Sequence, residues 1–360
     1  MAMLNPTQFD NDSTLKKVQL YYRRGKGKFL PHLINRLQFN YLCKLYFKPK
    51  FPPHLDIEPT MLCNMKCPMC FQQHMAIPSE GFLDFELYKK IVDEGAKNHL
   101  YSIRLCHRGE PLLHPKIVDM VKYAKEKGIK EVFTLTNGML LNEDLIRRLY
   151  AAGLDWLQLS IDGVYENYEN IRQPAKFKDI YGKVKLLHKI REEEKRLRPI
   201  IWIQSIWSAV KHDPKQFIDL FSPYVDKIAF HVDFDYEHRF KRDPDFVCYR
   251  LWHRMMIMAD GIVPMCNSDF LKDEIVGDVR CQTVKEVWNG EKLERIRKLN
   301  LEKRRFELMP CAKCNWGNLR ENKELIINGK KQKVMTNIAP EEYKKDLQDL
   351  DITLPAHRRC

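Results

Sequence analysis

Cys63-Asn64-Met65-Lys66-Cys67-Pro68-Met69-Cys70 is the stretch that decides how this chain is read. It is a C-x3-C-x2-C run, set just after a short apolar strand signal at 55–58. Soft thiolates this close together suit iron and sulfide. Three of them cannot complete a four-iron cluster, so one iron would keep an open position where chemistry can occur. Structural zinc prefers four protein ligands, usually as two separated C-x2-C pairs. The run would make a zinc knuckle only with a distant partner such as His74. The pattern points to an enzyme before it points to a scaffold.

Outward from this run, strand and helix alternate as far as about residue 235. Strand signals lie at 55–58, 101–106, 131–136, 156–161, 200–207 and 227–232. Helical periodicity fills the intervals near 85–97, 116–127, 143–152, 176–196 and 214–221. Gly128 and Gly153 sit where helices would end. Six β-α units in series imply an α/β fold, a parallel sheet with outer helices curled into a partial (β/α)6 TIM-like barrel. Functional residues then gather at the C-terminal ends of the strands. Cys63, Cys67 and Cys70 fall in the first loop at that mouth.

A second group of cysteines follows. Cys248 precedes Gly261 by twelve intervening residues, and Cys266 comes after four more; Cys311 and Cys314 form a C-x2-C pair. Asp260-Gly261 would make a tight turn that returns Cys266 towards Cys248. Beyond Cys248 the periodic pattern breaks into short segments, with a small Cys-rich domain expected over 241–320. Residues 321–360 read as a tail whose Asn328-Gly329 makes a hairpin turn. Cys43, Cys106, Cys281 and Cys360 read as buried or incidental thiols.

Together these features resemble the radical S-adenosylmethionine (SAM) enzymes, with the barrel over 54–240. The resemblance implies that Cys63, Cys67 and Cys70 hold a [4Fe-4S] cluster whose fourth iron binds SAM. Reductive cleavage of SAM would then give a 5′-deoxyadenosyl radical that abstracts a substrate hydrogen. Arg108-Gly109-Glu110-Pro111 resembles the family's Gly-Gly-Glu motif, with Arg108 in place of the first glycine. By resemblance, Gly109 and Glu110 receive the SAM amino group. Asn137, in Thr136-Asn137-Gly138, joins the SAM-binding set. Ser160 would face the ribose and Arg172 the carboxylate. Met69 stands where the family often has an aromatic residue, with Phe71 just after.

The second group resembles the SPASM-type auxiliary iron–sulfur domain found after many such barrels. The full pattern carries further cysteines, but none lies between Cys314 and Cys360. The four that remain suit one auxiliary [4Fe-4S] cluster with no open iron, a shortened, twitch-like arrangement; four-cysteine zinc is the bland alternative. A closed cluster is suited to accepting or passing an electron. That implies net oxidation, with a general base to take the proton; Asp269, His231 and Asp233 are the candidates.

Composition narrows the partners. The 360 residues carry a net charge of +13, which favours anionic partners. The cations are scattered and no nucleic-acid motif is present, so nucleic acid is not expected. No run of 18 apolar residues and no basic-then-apolar leader is found, so a cytoplasmic protein is expected. Eleven cysteines in a reducing compartment read as metal ligands rather than disulfides. Residues 1–53 form a basic, partly helical extension. Its amphipathic helix, over about 30–47 with Leu33, Ile34, Leu37, Leu42 and Leu45 as apolar positions, would pack on the main domain. Peripheral contact with a membrane surface or a partner is the sharper alternative.

The leading expectation is an oxidoreductase acting on a small polar substrate such as a sugar, aminocyclitol or nucleotide-linked sugar. An electron donor such as flavodoxin or ferredoxin would supply the cluster. A peptide- or protein-modifying maturase is the runner-up, and a zinc-stapled binding module the non-enzymatic alternative.

Overall fold

The computed structural model describes residues 7–9, 14–73, 81–231, 240–327 and 330–337. His74, Asp233, Asn328-Gly329 and Cys360 lie outside the described residues. An eight-stranded sheet organises the fold. In chain order its strands are β1 (Thr7–Phe9), β2 (His54–Ile57), β3 (Ser102–Leu105), β4 (Glu131–Thr136), β5 (Trp156–Ser160), β6 (Ile200–Ile206), β7 (Lys227–His231) and β8 (Met255–Ile257). Their spatial order is β1-β7-β6-β5-β4-β3-β2-β8. All pairs from β7 to β8 are parallel, and β1 closes the β7 edge antiparallel. The six expected strands are present. A seventh parallel strand, β8, comes from within the second cysteine segment and pairs with β2.

The inner strands bury nearly every side chain, as a sheet covered on both faces requires. The covering helices start and stop where side chains dictate. Helix α3 (Phe85–Lys97) is capped by Asp84, α5 (Glu143–Ala151) by Asn142, and α8 (Pro214–Phe221) by Asp213 with Pro214 at its first position. Gly153, at φ +89°, turns the chain out of α5 into β5, a conformation that costs any other residue energy. Helices α4 (Ile117–Glu126), α6 (Tyr165–Ile171) and α7 (Phe177–Glu193) complete the layer. Helix α6 was not anticipated.

Helices α1 (Thr14–Gly25) and α2 (Phe29–Asn40) close the bottom of the barrel, where the strands begin. Arg24 and Arg36 pair with Glu131 at the start of β4. Lys28 pairs with Asp155 just before β5, and Arg23 with Asp226 just before β7. His32 meets the Tyr101 hydroxyl at 2.8 Å, and the Asn35 side chain reaches the Pro53 carbonyl. These contacts reverse the expectation for α2. It packs on the domain, but its polar side faces in, while Leu33, Ile34 and Leu37 are exposed. The reason is the floor it covers: buried carboxylates at the strand starts demand cations.

After β8 the chain reverses at Met258–Ile262. The Met258 amide donates to the Ile262 carbonyl, and the Asp260 carboxylate takes the Ile262 amide at 3.0 Å. Strand β9 (Ile262–Pro264) then pairs antiparallel with β10 (Ile275–Asp278). Helix α9 (Val284–Asn289) carries a capping box from Thr283 and Glu286. Helices α10 (Glu291–Leu301) and α11 (Met309–Ala312) follow. Strands β11 (Arg320–Ile327) and β12 (Lys330–Asn337) pair antiparallel, from Arg320 opposite Asn337 to Ile327 opposite Lys330. Among the described residues, no helix is long and apolar enough to cross a membrane.

Candidate active site at the barrel mouth

The loop after β2 brings Cys63, Cys67 and Cys70 together. Cys63 feels the charge of both other thiols, and Cys70 that of Cys67. The loop is pinned from several sides. The Cys70 amide donates to the Cys67 carbonyl and the Lys66 amide to the Gln173 carbonyl, both at 2.9 Å. The Gln72 amide group donates to the carbonyls of Met61 (2.9 Å) and Arg108 (2.8 Å).

Gly109 lies where the β3 loop crosses this one. A Cβ there would come within 2.4 Å of the Thr60 carbonyl oxygen and 2.5 Å of that of Leu62, so only glycine fits. The Glu110 carboxylate is buried and held by three donors: Leu112 N–H at 3.0 Å, the Thr136 hydroxyl at 2.6 Å and Asn137 N–H at 2.7 Å. Burial raises its pKa and these bonds oppose the rise. A carboxylate offers about four acceptor positions, so one remains. The Asn137 side chain donates to Asn64 at 2.8 Å and lies 4.0 Å from the Cys63 sulfur. Across the mouth, Arg172 binds Asp162 through Nε at 2.6 Å and lies 3.9 Å from the Cys67 sulfur. Ser160 is buried at the end of β5, 3.4 Å from the Gln204 amide nitrogen. Gly109, Glu110, Asn137 and Arg172 thus border the cysteine loop, and Ser160 lies at the C-terminal end of β5 on the same rim.

Cys248, Cys266, Cys311 and Cys314 also form one group. Each of the first three feels its neighbours' charge, and Arg250, Arg305 and Arg320 lie close enough to act on these thiols. Burial raises the pKa of Cys63, Cys67, Cys70, Cys248, Cys266 and Cys311, with Cys63 and Cys248 pushed up to about 11 and Cys311 to about 12. Binding metal would therefore release protons. Five sulfurs accept an amide from two residues on. Met65, Gln72 and Arg250 serve Cys63, Cys70 and Cys248. Ser268 and Trp316 serve Cys266 and Cys314, both at 3.4 Å. This is the hydrogen bonding that tunes metal-bound thiolates.

The sulfurs of each group are neighbours without converging on one point. Among the described residues, no three His, Cys, Asp or Glu side chains are gathered to hold a single metal ion. Each group offers only soft thiols backed by amide donors, a donor set that suits iron and sulfide.

The two groups meet through aromatic rings and a buried ion pair. Phe71, next to Cys70, stacks on Phe270 with ring centroids 4.8 Å apart; His107 stacks on the same ring at 5.7 Å. Arg108 grips Glu58 with two bonds, 2.8 and 2.7 Å, and reaches the Phe270 carbonyl at 3.3 Å. Glu58 also takes the Ala259 amide at 3.1 Å. Sequence reasoning noted Arg108 only as a departure and missed Glu58, an acid at the end of an apolar strand.

Asp269 is buried next to Phe270, and its two oxygens accept the amides of Asp273 (2.8 Å) and Glu274 (3.1 Å). His231 ends β7. Burial lowers its pKa to about 4, and its Nε2 has no partner among the described residues. Cys106 and Cys43 are buried thiols, and Cys281 is exposed.

Comparison with known proteins agrees with this geometry. The model of the Radical SAM superfamily matches residues 57–230, and that of the SPASM iron-sulfur cluster-binding domain matches 248–315. A tungsten-containing aldehyde ferredoxin oxidoreductase cofactor-modifying protein of Pyrococcus furiosus is 33% identical over 172 residues, 46% of either chain. An Fe-coproporphyrin III synthase of Methanosarcina barkeri is 30% identical over 153 residues, 42% of this chain and 35% of that one. The chain spans less than half the length of these curated relatives. Among solved structures, BtrN in complex with AdoMet and 2-DOIA superposes with a TM-score of 0.55 at 18% identity, covering 75% of this chain and 94% of that one. anSMEcpe with bound AdoMet and a Cp18Cys peptide gives 0.52 at 18% identity, covering 73% and 86%.

Proposed function

Since the chain is a radical SAM enzyme with a SPASM iron–sulfur domain, we propose that it carries out a net two-electron oxidation of a small polar substrate. Sugars, aminocyclitols and nucleotide-linked sugars are the substrate classes intended. The observation that carries this reading is the join between an open and a closed cysteine group. Three thiols at the mouth leave a position for SAM; four thiols behind Phe270 leave none, and Phe71 and Phe270 stack between them.

Cys63, Cys67 and Cys70 hold the first [4Fe-4S] cluster. Cys248, Cys266, Cys311 and Cys314 hold the second, in a single-cluster, twitch-like version of the domain. Bound at the mouth, cluster and SAM would supply the one-electron chemistry that removes a hydrogen atom from the substrate. Glu110, fixed by its three donors, gives its remaining acceptor position to the SAM ammonium. Gly109 lets the backbone approach, Asn137 and Ser160 orient the nucleoside side, and Arg172 faces the carboxylate from its anchor on Asp162. His231 stays neutral at pH 7 with Nε2 open, so it is the base that receives the substrate proton. Asp269 spends its carboxylate on two amides and holds the Phe270 loop. Asp233, outside the described residues, remains a further candidate for the base. A flavodoxin- or ferredoxin-type donor supplies the starting electron.

The test is stoichiometry. Across a panel of these substrates, SAM consumed should equal oxidised product formed. Cys311→Ala should still release 5′-deoxyadenosine but yield no product. Wild type that cleaves SAM with no oxidised product from any member would count against the reading. The peptide bound in the anSMEcpe structure supports a second reading, modification of a peptide or protein. A peptide substrate that couples SAM use to a mass change would favour it.

A further inference from the structure

Helix α2 is inside out. Its buried side chains include His32 and Asn35, 0% and 2% exposed. Its apolar residues Phe29, Leu30, Leu33, Ile34 and Leu37 are 47–64% exposed. Leu15 and Val18 of α1, and Leu45 just beyond α2, add to the outward apolar surface. A buried aliphatic or aromatic side chain typically gains ~1.5–3 kcal/mol over an exposed one. Five on one short helix forgo that gain together, and soluble monomers rarely leave so continuous a surface uncovered.

The inward side explains why the helix cannot turn over. Glu131, Asp155 and Asp226 sit at the strand starts and hold Arg24, Arg36, Lys28 and Arg23 beneath the helices. Rolling α2 to bury its leucines would pull Arg36 from the buried Glu131 and His32 from the Tyr101 hydroxyl, and would set leucines against a floor of buried charges.

We propose that the outward face of α1 and α2 docks on an anionic lipid bilayer, lying in its plane with the apolar side chains inserted. Charge selects this occupant. Residues 14–53 contain ten Lys and Arg and not one Asp or Glu; Arg23, Arg24, Lys28 and Arg36 are spent on the floor carboxylates and Lys48 on Glu294, and the outward face carries no acid of its own to offset the rest. Lys26, Lys44 and Lys50 are exposed beside the apolar positions. A second copy of the chain would meet the patch with the same patch and bring like charges together. An anionic headgroup layer accepts both the apolar stripe and its basic flanks, the combination that holds interfacial helices. Because α1 and α2 cover the strand starts, the barrel mouth at the opposite end faces away from the bilayer, open to substrate and electron donor.

The experiment is co-sedimentation of the full chain, with its clusters reconstituted, on phosphatidylcholine vesicles with and without phosphatidylglycerol. Binding should be at least tenfold tighter on the anionic vesicles and should weaken with added salt. Leu33→Glu with Leu37→Glu should weaken it at least tenfold, with circular dichroism and iron content unchanged because both positions are exposed. Lys26→Glu with Lys44→Glu should weaken it while leaving the apolar face intact. Absence of binding to anionic vesicles would overturn the proposal. So would a dimer that the leucine variant splits while vesicle binding stays as it was.

Discussion

Arg108 and Glu58 form a two-bond ion pair in which both side chains are fully buried, at the top of the barrel. The pair joins three segments: the β2 end, the loop after β3, and the second cysteine domain through Ala259 and Phe270. Arg108 occupies the first position of the motif that otherwise begins Gly-Gly, so the chain has converted a spacer into a strut.

Breaking that strut should be expensive. Arg108→Gly leaves the Glu58 charge buried without its partner, which costs roughly 3–5 kcal/mol. Arg108→Lys should recover little, because an ammonium cannot make the two-pronged contact. Pairing Arg108→Leu with Glu58→Leu should lose less than Arg108→Gly alone. Chemical denaturation of the reconstituted protein measures all three.

The Phe270 ring spans the two cysteine groups. Phe270→Ala removes its stacking with Phe71 and His107, worth ~0.5–1.5 kcal/mol per ring pair beyond area. Product should fall while 5′-deoxyadenosine release persists, and Phe270→Tyr should restore coupling. Proportional loss of both would instead mark a purely structural residue.

Glu110 should distinguish SAM affinity from folding. In Glu110→Gln an amide N–H₂ would face either the Asn137 amide or the Leu112 and Thr136 donors. That mismatch costs ~1–3 kcal/mol of stability. The lost charge should also weaken SAM binding by ~10–100-fold, since hydrogen bonds to charged groups are worth ~1.5–3 kcal/mol. Equilibrium dialysis with SAM, set beside a melting curve, separates the two. Glu110→Asp should lose affinity as well, because its shorter arm cannot span three donors.

Three histidines predict an acid-labile fold. Burial lowers the pKa of His107 and His231 to about 4 and that of His32 to about 3, with Arg24 and Arg36 adding to the effect at His32. The unfolded chain binds these protons near pH 6.5, while the native chain does not until pH 4 or below. Stability is therefore present above pH 6.5 and is lost as pH falls through that window, at up to ~1.4 kcal/mol per pH unit for each histidine. Thermal midpoints should drop from pH 7 to 5.5. His32→Gln, which keeps a partner for Tyr101 but does not titrate, should flatten the slope.

Much of this was legible from spacing. Strand 131–136 and helices 85–97 and 214–221 lie on the residues expected, because the strand alternates clearly and each helix has a side-chain cap, with a proline at the start of the second. The seven cysteines declared themselves by their intervals. Strand β8 did not: Met255-Met256-Ile257 is too short to carry a period and owes its place to β2. The Arg108–Glu58 pair joins positions fifty apart, which no local pattern reports. Periodicity correctly marked α2 as two-faced, but it cannot say which face turns inward; the carboxylates at the strand starts decide that.

The central claim is two clusters, one open and one closed. Iron and acid-labile sulfide should be counted per chain after anaerobic reconstitution, in wild type and in the Cys63→Ala, Cys67→Ala, Cys70→Ala triple variant. The account predicts about eight of each in wild type and about four of each in the variant, with the loss confined to the SAM-responsive signal. Zinc without sulfide, or wild type holding only four irons, would contradict it.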